Sequence, residues 1–243
     1  MRPYILVKVH SCRCPLLFLL FSFLICACTV PPGFLKKESA VGGIPQRAQV
    51  LVMPPDIQIF EITAGGLPEP KADWTQFANA NVKSALNEVL KLKQATMLTY
   101  QAPDSPDAAH AHNQIVKLHE MVGNAIIIHK YIEGFQLPTK AGELDWGLGE
   151  GARQLNQGNN ADYALFLYLR DSHASAGRVA FIAAVAVLGV YAPGGTQQGF
   201  ASLVDLRSGD IIWFKRLFRQ SGDLRNFGGA METVTILLDG LPL

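Results

Sequence analysis

Apolar and polar positions fall along this chain in blocks whose period changes from one stretch to the next. Residues 50–53 (VLVM) form a short apolar run stopped by Pro54-Pro55, and residues 57–62 (IQIFEI) form an alternating run stopped by Ala64-Gly65-Gly66. Both predict strands, because alternate side chains of a strand point to opposite faces of the sheet. Asp73, with Gln76 three positions on, predicts a capped helix start. Behind it Trp74, Phe77, Val82, Ala85, Val89 and Leu92 recur at helical spacing, which predicts an amphipathic helix ending near Lys93. Residues 97–100 (MLTY) predict a third strand, and Ser105-Pro106-Asp107 predicts a second helix start by both cap and proline placement. Ile115, Leu118, Val122, Ala125, Ile126 and His129 mark one side of that helix, and Gly134 and Pro138 close it. A shorter helical pattern, Leu144, Leu148, Ala152 and Leu155, reaches Asn156.

After the polar turn at 159–162, residues 163–169 (YALFLYL) read as a buried strand. Helix, polar turn and buried strand are the parts of a parallel crossover. Residues 200–206 and 211–218 form two alternating strands around Arg207-Ser208-Gly209-Asp210, a tight-turn sequence. Gly228-Gly229 precedes a last helix whose face is Ala230, Val234, Leu237 and Leu238, stopped by Gly240 and Pro242. The expected fold class is α/β, of the α+β mixed-sheet kind: a central mixed sheet flanked by helices, with a C-terminal β-hairpin followed by a helix.

One block resists assignment. Residues 179–191 (VAFIAAVAVLGVY) are apolar throughout, yet at about 1.5 Å per residue they fall short of the ~30 Å hydrocarbon core of a bilayer. That length favours a buried helix or a loop packed under the sheet. The competing reading is a surface that inserts into lipid or meets other subunits through Val179, Phe181, Ile182, Val185, Val187, Leu188 and Tyr191, with Gly189, Gly194 and Gly195 as hinges.

Composition changes the picture at the N-terminus. The chain has 243 residues, 49% of them hydrophobic and 17% charged, and part of the apolar excess sits in the first thirty. A basic stretch containing Arg2, Lys8 and Arg13 leads into the apolar run 16–25 (LLFLLFSFLI), which ends in Cys26-Ala27-Cys28. Basic region, short apolar run and small residues are the parts of an export signal. Without residues 1–27 the chain carries 18 bases against 20 acids, which gives no electrostatic reason to expect nucleic acid as a partner. All four cysteines, Cys12, Cys14, Cys26 and Cys28, lie in this leader region, so a domain stapled by disulfides and a cysteine-ligated metal are both excluded.

Ile25-Cys26-Ala27-Cys28 resembles the lipobox of bacterial lipoproteins, with Cys26 the unusual member. The resemblance implies a diacylglycerol on Cys28, cleavage before it, and acylation (palmitate or a similar chain) of the new amino terminus. Thr29 rather than Asp after the cysteine implies sorting to the outer membrane, facing the periplasm. The expected organisation is a signal peptide at 1–27, a lipid-anchored linker at 28–47 punctuated by Pro31-Pro32-Gly33 and Gly42-Gly43, and a single periplasmic α/β domain at 48–243.

Further along, Ala161-Asp162-Tyr163-Ala164-Leu165 and the run from Leu203-Val204-Asp205-Leu206 to Ile212-Trp213 resemble the periplasmic α/β domain shared by curli-secretion lipoproteins and the amino-terminal domain of TolB. Small proteobacterial lipoproteins of unassigned role share these phrases. The resemblance implies a mixed sheet flanked by helices, serving envelope assembly or transport; residues 179–191 have no counterpart in it.

Candidate chemistry is thin. His110, His112, His119 and His129 lie on or beside one predicted helix, but helical metal pairs want spacings of three or four, so partly exposed helix histidines are expected. Asp171-Ser172-His173 holds the residue types of a hydrolase triad, yet neighbours on a strand end do not converge; Asp171 and Ser172 are expected to cap the segment that follows. Gly147-x-Gly149-x-Gly151 sits inside a helical pattern without a preceding strand, which points to close helix packing and away from a phosphate loop. Glu143 and Asp145 are expected to be solvated. No catalytic residue, metal or cofactor is assigned. The leading expectation is a non-enzymatic, lipid-anchored envelope accessory that binds other envelope proteins, as a monomer or a homo-oligomer. The alternatives are an envelope hydrolase or ligand-binding enzyme using Asp171, His173 and Arg207, and an oligomeric pore-forming or secretion subunit using residues 179–191.

Overall fold

A computed structural model describes residues 33–243 apart from 41, 42, 46, 47, 94, 95 and 141. Cys28 and the leader lie outside the described residues. The chain runs β1 (Phe34–Lys36), β2 (Gln49–Val52), β3 (Asp56–Ile62), β4 (Pro68–Pro70), α1 (Ala72–Lys91), β5 (Thr96–Thr99), α2 (Pro106–Tyr131), β6 (Tyr163–Ala174), α3 (Ala176–Ala186), β7 (Gln197–Asp205), β8 (Ile211–Arg219) and α4 (Phe227–Leu237). Short 3-10 turns occur at Glu38–Ala40, Pro138–Lys140 and Glu150–Asn156.

The eight strands among the described residues belong to one mixed sheet, and β6 is its spine. Along one side β2 and β3 follow each other end to end, both parallel to β6: Val50–Val52 face Tyr163–Leu165, and Asp56–Ile62 face Tyr168–Ala174. Pro54-Pro55 falls in the gap, where a residue without an amide hydrogen costs no ladder bond. Along the other side run β7, β8 and β1, each antiparallel to its neighbour. β5 lies parallel on the outer edge of β2, and β4 antiparallel on β3.

The crossover from β2 through α1 to β5 moves outward, and the one from β5 through α2 to β6 moves back past β2. Right-handed connections in opposite directions place their helices on opposite faces. α1 and α4 therefore cover one face, where Leu165, Leu167, Leu169, Leu203 and Trp213 pack. α2 and the turn Glu150–Asn156 cover the other, against Ala164, Phe166, Phe200 and Phe214. The alternation along β6 divides its side chains between the two cores. Pairing jumps from Leu203–Trp213 to Val204–Ile211, leaving Ile212 as an extra residue in a β-bulge.

The mixed sheet, the hairpin and the final helix agree with the sequence. Several details do not. α1 starts at Ala72 with Lys71 as its cap residue and no side-chain cap bond, so Asp73 sits inside the first turn. Phe77 and Leu92 face solvent; Val82, Ala85 and Val89 are buried as expected, joined by Ala78, Leu86 and Leu90. Residues 144–155 are not one helix: Leu144 and Leu148 lie in an irregular stretch before the Glu150–Asn156 turn, although all four predicted apolar positions are buried. The sheet also reaches further toward the N-terminus than position 48, because β1 pairs with β8 through Phe34–Lys215, Leu35–Phe214 and Lys36–Trp213. The largest difference concerns residues 179–191. They form most of α3 and the loop after it, and they lie outside both cores.

Candidate functional site

The end of the sheet where β6 stops carries the unusual surface. Past Ala174 the chain turns at Ser175, whose amide donates to Ile62 O (3.0 Å) and whose Oγ accepts from Arg178 N (3.1 Å), capping α3. The capping role expected of Asp171 and Ser172 thus belongs to Ser175. α3 frays through Leu188, Gly189 and Val190, whose amides donate to Val185 O, Ala186 O and Val185 O. The chain then returns to β7 where Thr196 N donates to Ser172 Oγ (2.8 Å) and Ser172 Oγ donates to Thr196 O (3.0 Å).

What holds α3 in place is polar. Arg178 is buried, and its Nε and Nη2 both donate to Pro193 O, at 3.3 and 3.2 Å. Gly66 in the β3–β4 turn permits this guanidinium, since a Cβ there would sit 3.3 Å from Nη1. Little covers the apolar side chains. Val187 is 86% exposed, Leu188 78% and Tyr191 72%; Val179, Phe181 and Val190 are exposed, and Ile182 and Val185 half-buried. Leu67 in the adjacent turn adds a further exposed apolar side chain at 70%. No charged residue occurs between Arg178 and Asp205. All seven surface candidates read from the sequence thus share one protrusion. Val190 belongs to the same apolar run, whereas Leu67 and the Arg178 clamp have no signal in the sequence, because a turn leucine and a lone arginine carry no periodicity.

Beneath α3 lies a polar lock. Asp171, 1% exposed, accepts at Oδ2 from Leu224 N (3.1 Å) and Gln197 Nε2 (3.2 Å). Arg219 bonds Gln197 Oε1 through Nε (2.8 Å), and Thr233 Oγ1 donates to the same oxygen (2.9 Å). Asp223 Oδ1 accepts from the backbone amide and Nε of Arg225, and those bonds hold its carboxyl below the usual carboxylate range. Arg225 in turn stacks over Trp74 at 4.5 Å. His173 Nε2 is buried without a hydrogen bond, 3.2 Å from Asp171 Oδ2 and 3.6 Å from Asp223 Oδ1. Asp171, His173 and Asp223 therefore form a group of metal-ligand type, but both nearby carboxylate oxygens already serve backbone amides of the 220–226 loop. The better-supported role of the cluster is to tie that loop to β6. A cavity of about 190 Å³ beside it is lined by Ser172, Gly195, Gln197 and Gln220.

The structure does not assemble the hydrolase constellation. Ser172 points away from its neighbours Asp171 and His173, as strand alternation requires, and is occupied by Thr196. Arg207 sits in the β7–β8 turn, at the opposite end of β6, because Asp205 pairs with Tyr163 and Gln197 with Asp171. The helix histidines also differ from expectation. His112 and His119 are buried on the face they share, not partly exposed. His112 is bonded to Tyr100 Oη and Gln154 O, and His119 Nε2 to Ser202 Oγ at 2.7 Å. Gly147 and Gly149 pack closely, as expected, but against the β7–β8 turn: Gly147 bridges Asp210, and a Cβ on Gly209 would collide with Gly149 O. Glu143 and Asp145 are exposed, with Asp145 held by Lys140 at 2.9 Å. A separate cleft of about 1030 Å³ opens between α1 and the β2–β3 gap, lined by Pro54, Pro55, Lys83, Asn87, Met97 and Tyr100.

No protein-family model matches the chain, and no curated protein matches it. Among solved structures, a point variant of the PelC dodecamer from Paraburkholderia phytofirmans is 12% identical over 82% of this chain and 91% of that one, with a TM-score of 0.36. Lipoprotein GNA1162 from Neisseria meningitidis is 14% identical over 81% and 99%, with a TM-score of 0.29. The LpoB C-terminal domain from Salmonella enterica is 14% identical over 72% and 85%, with a TM-score of 0.27. Superpositions this loose carry no argument about role.

Proposed function

We propose that this chain is a lipid-anchored protein of the bacterial cell envelope that works by binding other envelope components and catalyses no reaction. The observation that carries this reading is Ile25-Cys26-Ala27-Cys28 at the end of an export-signal pattern. Thr29 favours the outer membrane by the same resemblance. Several acyl chains at about 0.8 kcal/mol per buried methylene give stable anchoring where one chain gives only marginal binding. The binding part of the reading draws support from apolar surface that a monomer leaves uncovered. Besides the α3 protrusion, Leu118, Met121, Ile128 and Ile132 are exposed along the outer side of α2. Soluble monomers rarely show patches of this kind without a use for them. The same exposure favours a second reading, a homo-oligomeric pore or secretion subunit, which predicts detergent-resistant assemblies by native mass measurement.

The test is the intact mass of protein extracted from membranes, compared between the wild type and Cys28→Ala. The expected result is a chain that starts at Cys28 and carries the added mass of acyl groups, with both lipid and membrane retention lost in the variant. An unmodified chain in the soluble fraction would overturn the anchor. Crosslinking in intact cells would then report whether the captured neighbours are envelope proteins or further copies of this chain.

A further inference from the structure

We propose that α3 and the loop after it, with the neighbouring β3–β4 turn, form a second contact with the bilayer, seated at the headgroup–acyl boundary of the membrane that holds the lipid on Cys28. The inference rests on the lipid-anchor reading and deepens it. Three observations meet at one end of the sheet.

The first is composition and exposure. Leu67, Phe181, Val187, Leu188, Val190 and Tyr191 are all exposed, and no charge interrupts residues 179–204. A helix that is apolar all round is ordinarily buried in protein or in lipid, and this one is covered by neither core. Tyr191 adds an amphipathic ring of the kind enriched at the membrane interface, its hydroxyl donating to Gln220 Oε1 (2.9 Å).

The second is depth. At about 1.5 Å per residue the 11 residues of α3 span roughly half of the ~30 Å hydrocarbon core. No helix among the described residues is long and apolar enough to cross a membrane. Shallow seating suits the backbone: the amides of Leu188, Gly189 and Val190 are bonded within the frayed turn and Pro193 O takes both Arg178 bonds, while Tyr191 and Ala192 show no such backbone bond among the described residues and belong at the wet side of the boundary. Unsatisfied backbone groups are what keep irregular chain out of lipid.

The third is the tether, which decides between a bilayer and other occupants. β1 is antiparallel to β8, with Phe34 opposite Lys215 and Lys36 opposite Trp213. Since β8 runs toward Arg219 at the α3 end, the chain enters β1 from the α3 end. Five residues separate Cys28 from Phe34, a reach of at most about 22 Å when fully extended. From the level of Lys215 to that of Arg219 is four residues of strand, about 13 Å. The chain thus enters the described domain at the α3 end of β1, and five extended residues are long enough to bring a lipid on Cys28 level with Arg219.

The test uses the mature, lipidated protein reconstituted in vesicles of phosphatidylethanolamine and phosphatidylglycerol. A mature chain acylated at Cys28 has no other thiol. Leu188→Cys, and Ser208→Cys in the turn at the opposite end of the sheet, therefore each offer one site for an environment-sensitive fluorophore. The expected result is a blue shift and quenching by spin-labelled lipid at position 188, with neither at position 208. The intact mass of each sample reports lipidation separately, so loss of the anchor and loss of the second contact are distinguishable. A fully acylated protein whose label at 188 stays water-like and unquenched overturns the proposal. So does a shift at 188 that needs no vesicles and grows with protein concentration, which would make a second copy the occupant. A Leu188→Cys chain expressed from Thr29, which carries neither the leader nor any native cysteine, gives the lipid-free arm: its label is expected to shift when vesicles are added and to lose the shift with Val187→Asp.

Discussion

His112 and His119 stand seven residues apart on α2, and the sheet beneath them settles what each can do. Both nitrogens of His112 are occupied by a tyrosine hydroxyl and a backbone carbonyl. His119 stacks on Phe166 at 4.5 Å, and burial lowers its pKa from 6.5 to about 3. The folded state therefore keeps a neutral imidazole at pH values where the unfolded chain takes up a proton. Stability from this group is complete above pH 6.5 and falls as the pH drops toward 3, at up to about 1.4 kcal/mol per pH unit. Comparing urea unfolding of wild type and His119→Gln from pH 7 to pH 4 should show a shallower pH slope in the variant, which can still bond Ser202 but cannot titrate. Equal slopes would place water at the ring. Spacing along the helix predicts partly exposed histidines, because the partners that bury them, Gln154 and Ser202 above all, come from distant parts of the chain.

At the scale of elements, α2 is the instructive case. Its apolar residues lie on several sides, so the 3.6-residue period locates a helix but not its buried line. Ile115 and Ile126 are buried as the period predicts, whereas Leu118 faces solvent and the buried stripe includes His112, His119 and Gly123. Gly123 is buried because α2 crosses the sheet there: a Cβ would stand 2.1 Å from the Phe200 ring. Gly123→Ala should cost about 1–3 kcal/mol, the usual penalty of overpacking, seen as a lower urea midpoint with an unchanged m-value. A neutral result would mean that the helix sits further from the sheet. α3 makes the complementary point. An apolar segment has the same hydropathy whether it is buried or lacks a partner, so length favours burial for residues 179–191, whereas the structure leaves them outside both cores.

For the whole molecule, the extent of the sheet matters most. Pro31-Pro32-Gly33 and Gly42-Gly43 read as a flexible linker, yet β1 closes the β8 edge, Lys37 N donates to Ile212 O, and Ala40 is 2% exposed. An open edge strand is a site for unwanted pairing. A chain starting at residue 48 should therefore be less stable than one starting at 33 by about 2–4 kcal/mol, counting roughly 1 kcal/mol per lost backbone bond, and more prone to aggregate. Urea unfolding and light scattering of the two chains would decide. Equal stability would return residues 33–47 to the role of linker.

The kinds and order of the main elements, the two-sided alternation along β6 and the β7–β8 hairpin are all legible in the amino-acid order. It also carried the export signal and lipobox pattern on which the anchor reading rests. These are local properties: a period of two or of 3.6, a turn dipeptide and a cleavage motif are written within a few residues. Which line of α2 is buried, that β1 joins the sheet, and that Asp171, Asp223 and Arg225 lock the last loop emerge when the chain is packed. Packing alone leaves α3 uncovered at the end where the chain enters β1. Burial is a relation between segments distant in sequence, here β6 with a loop fifty residues later and β1 with β8. No local pattern records which surfaces meet.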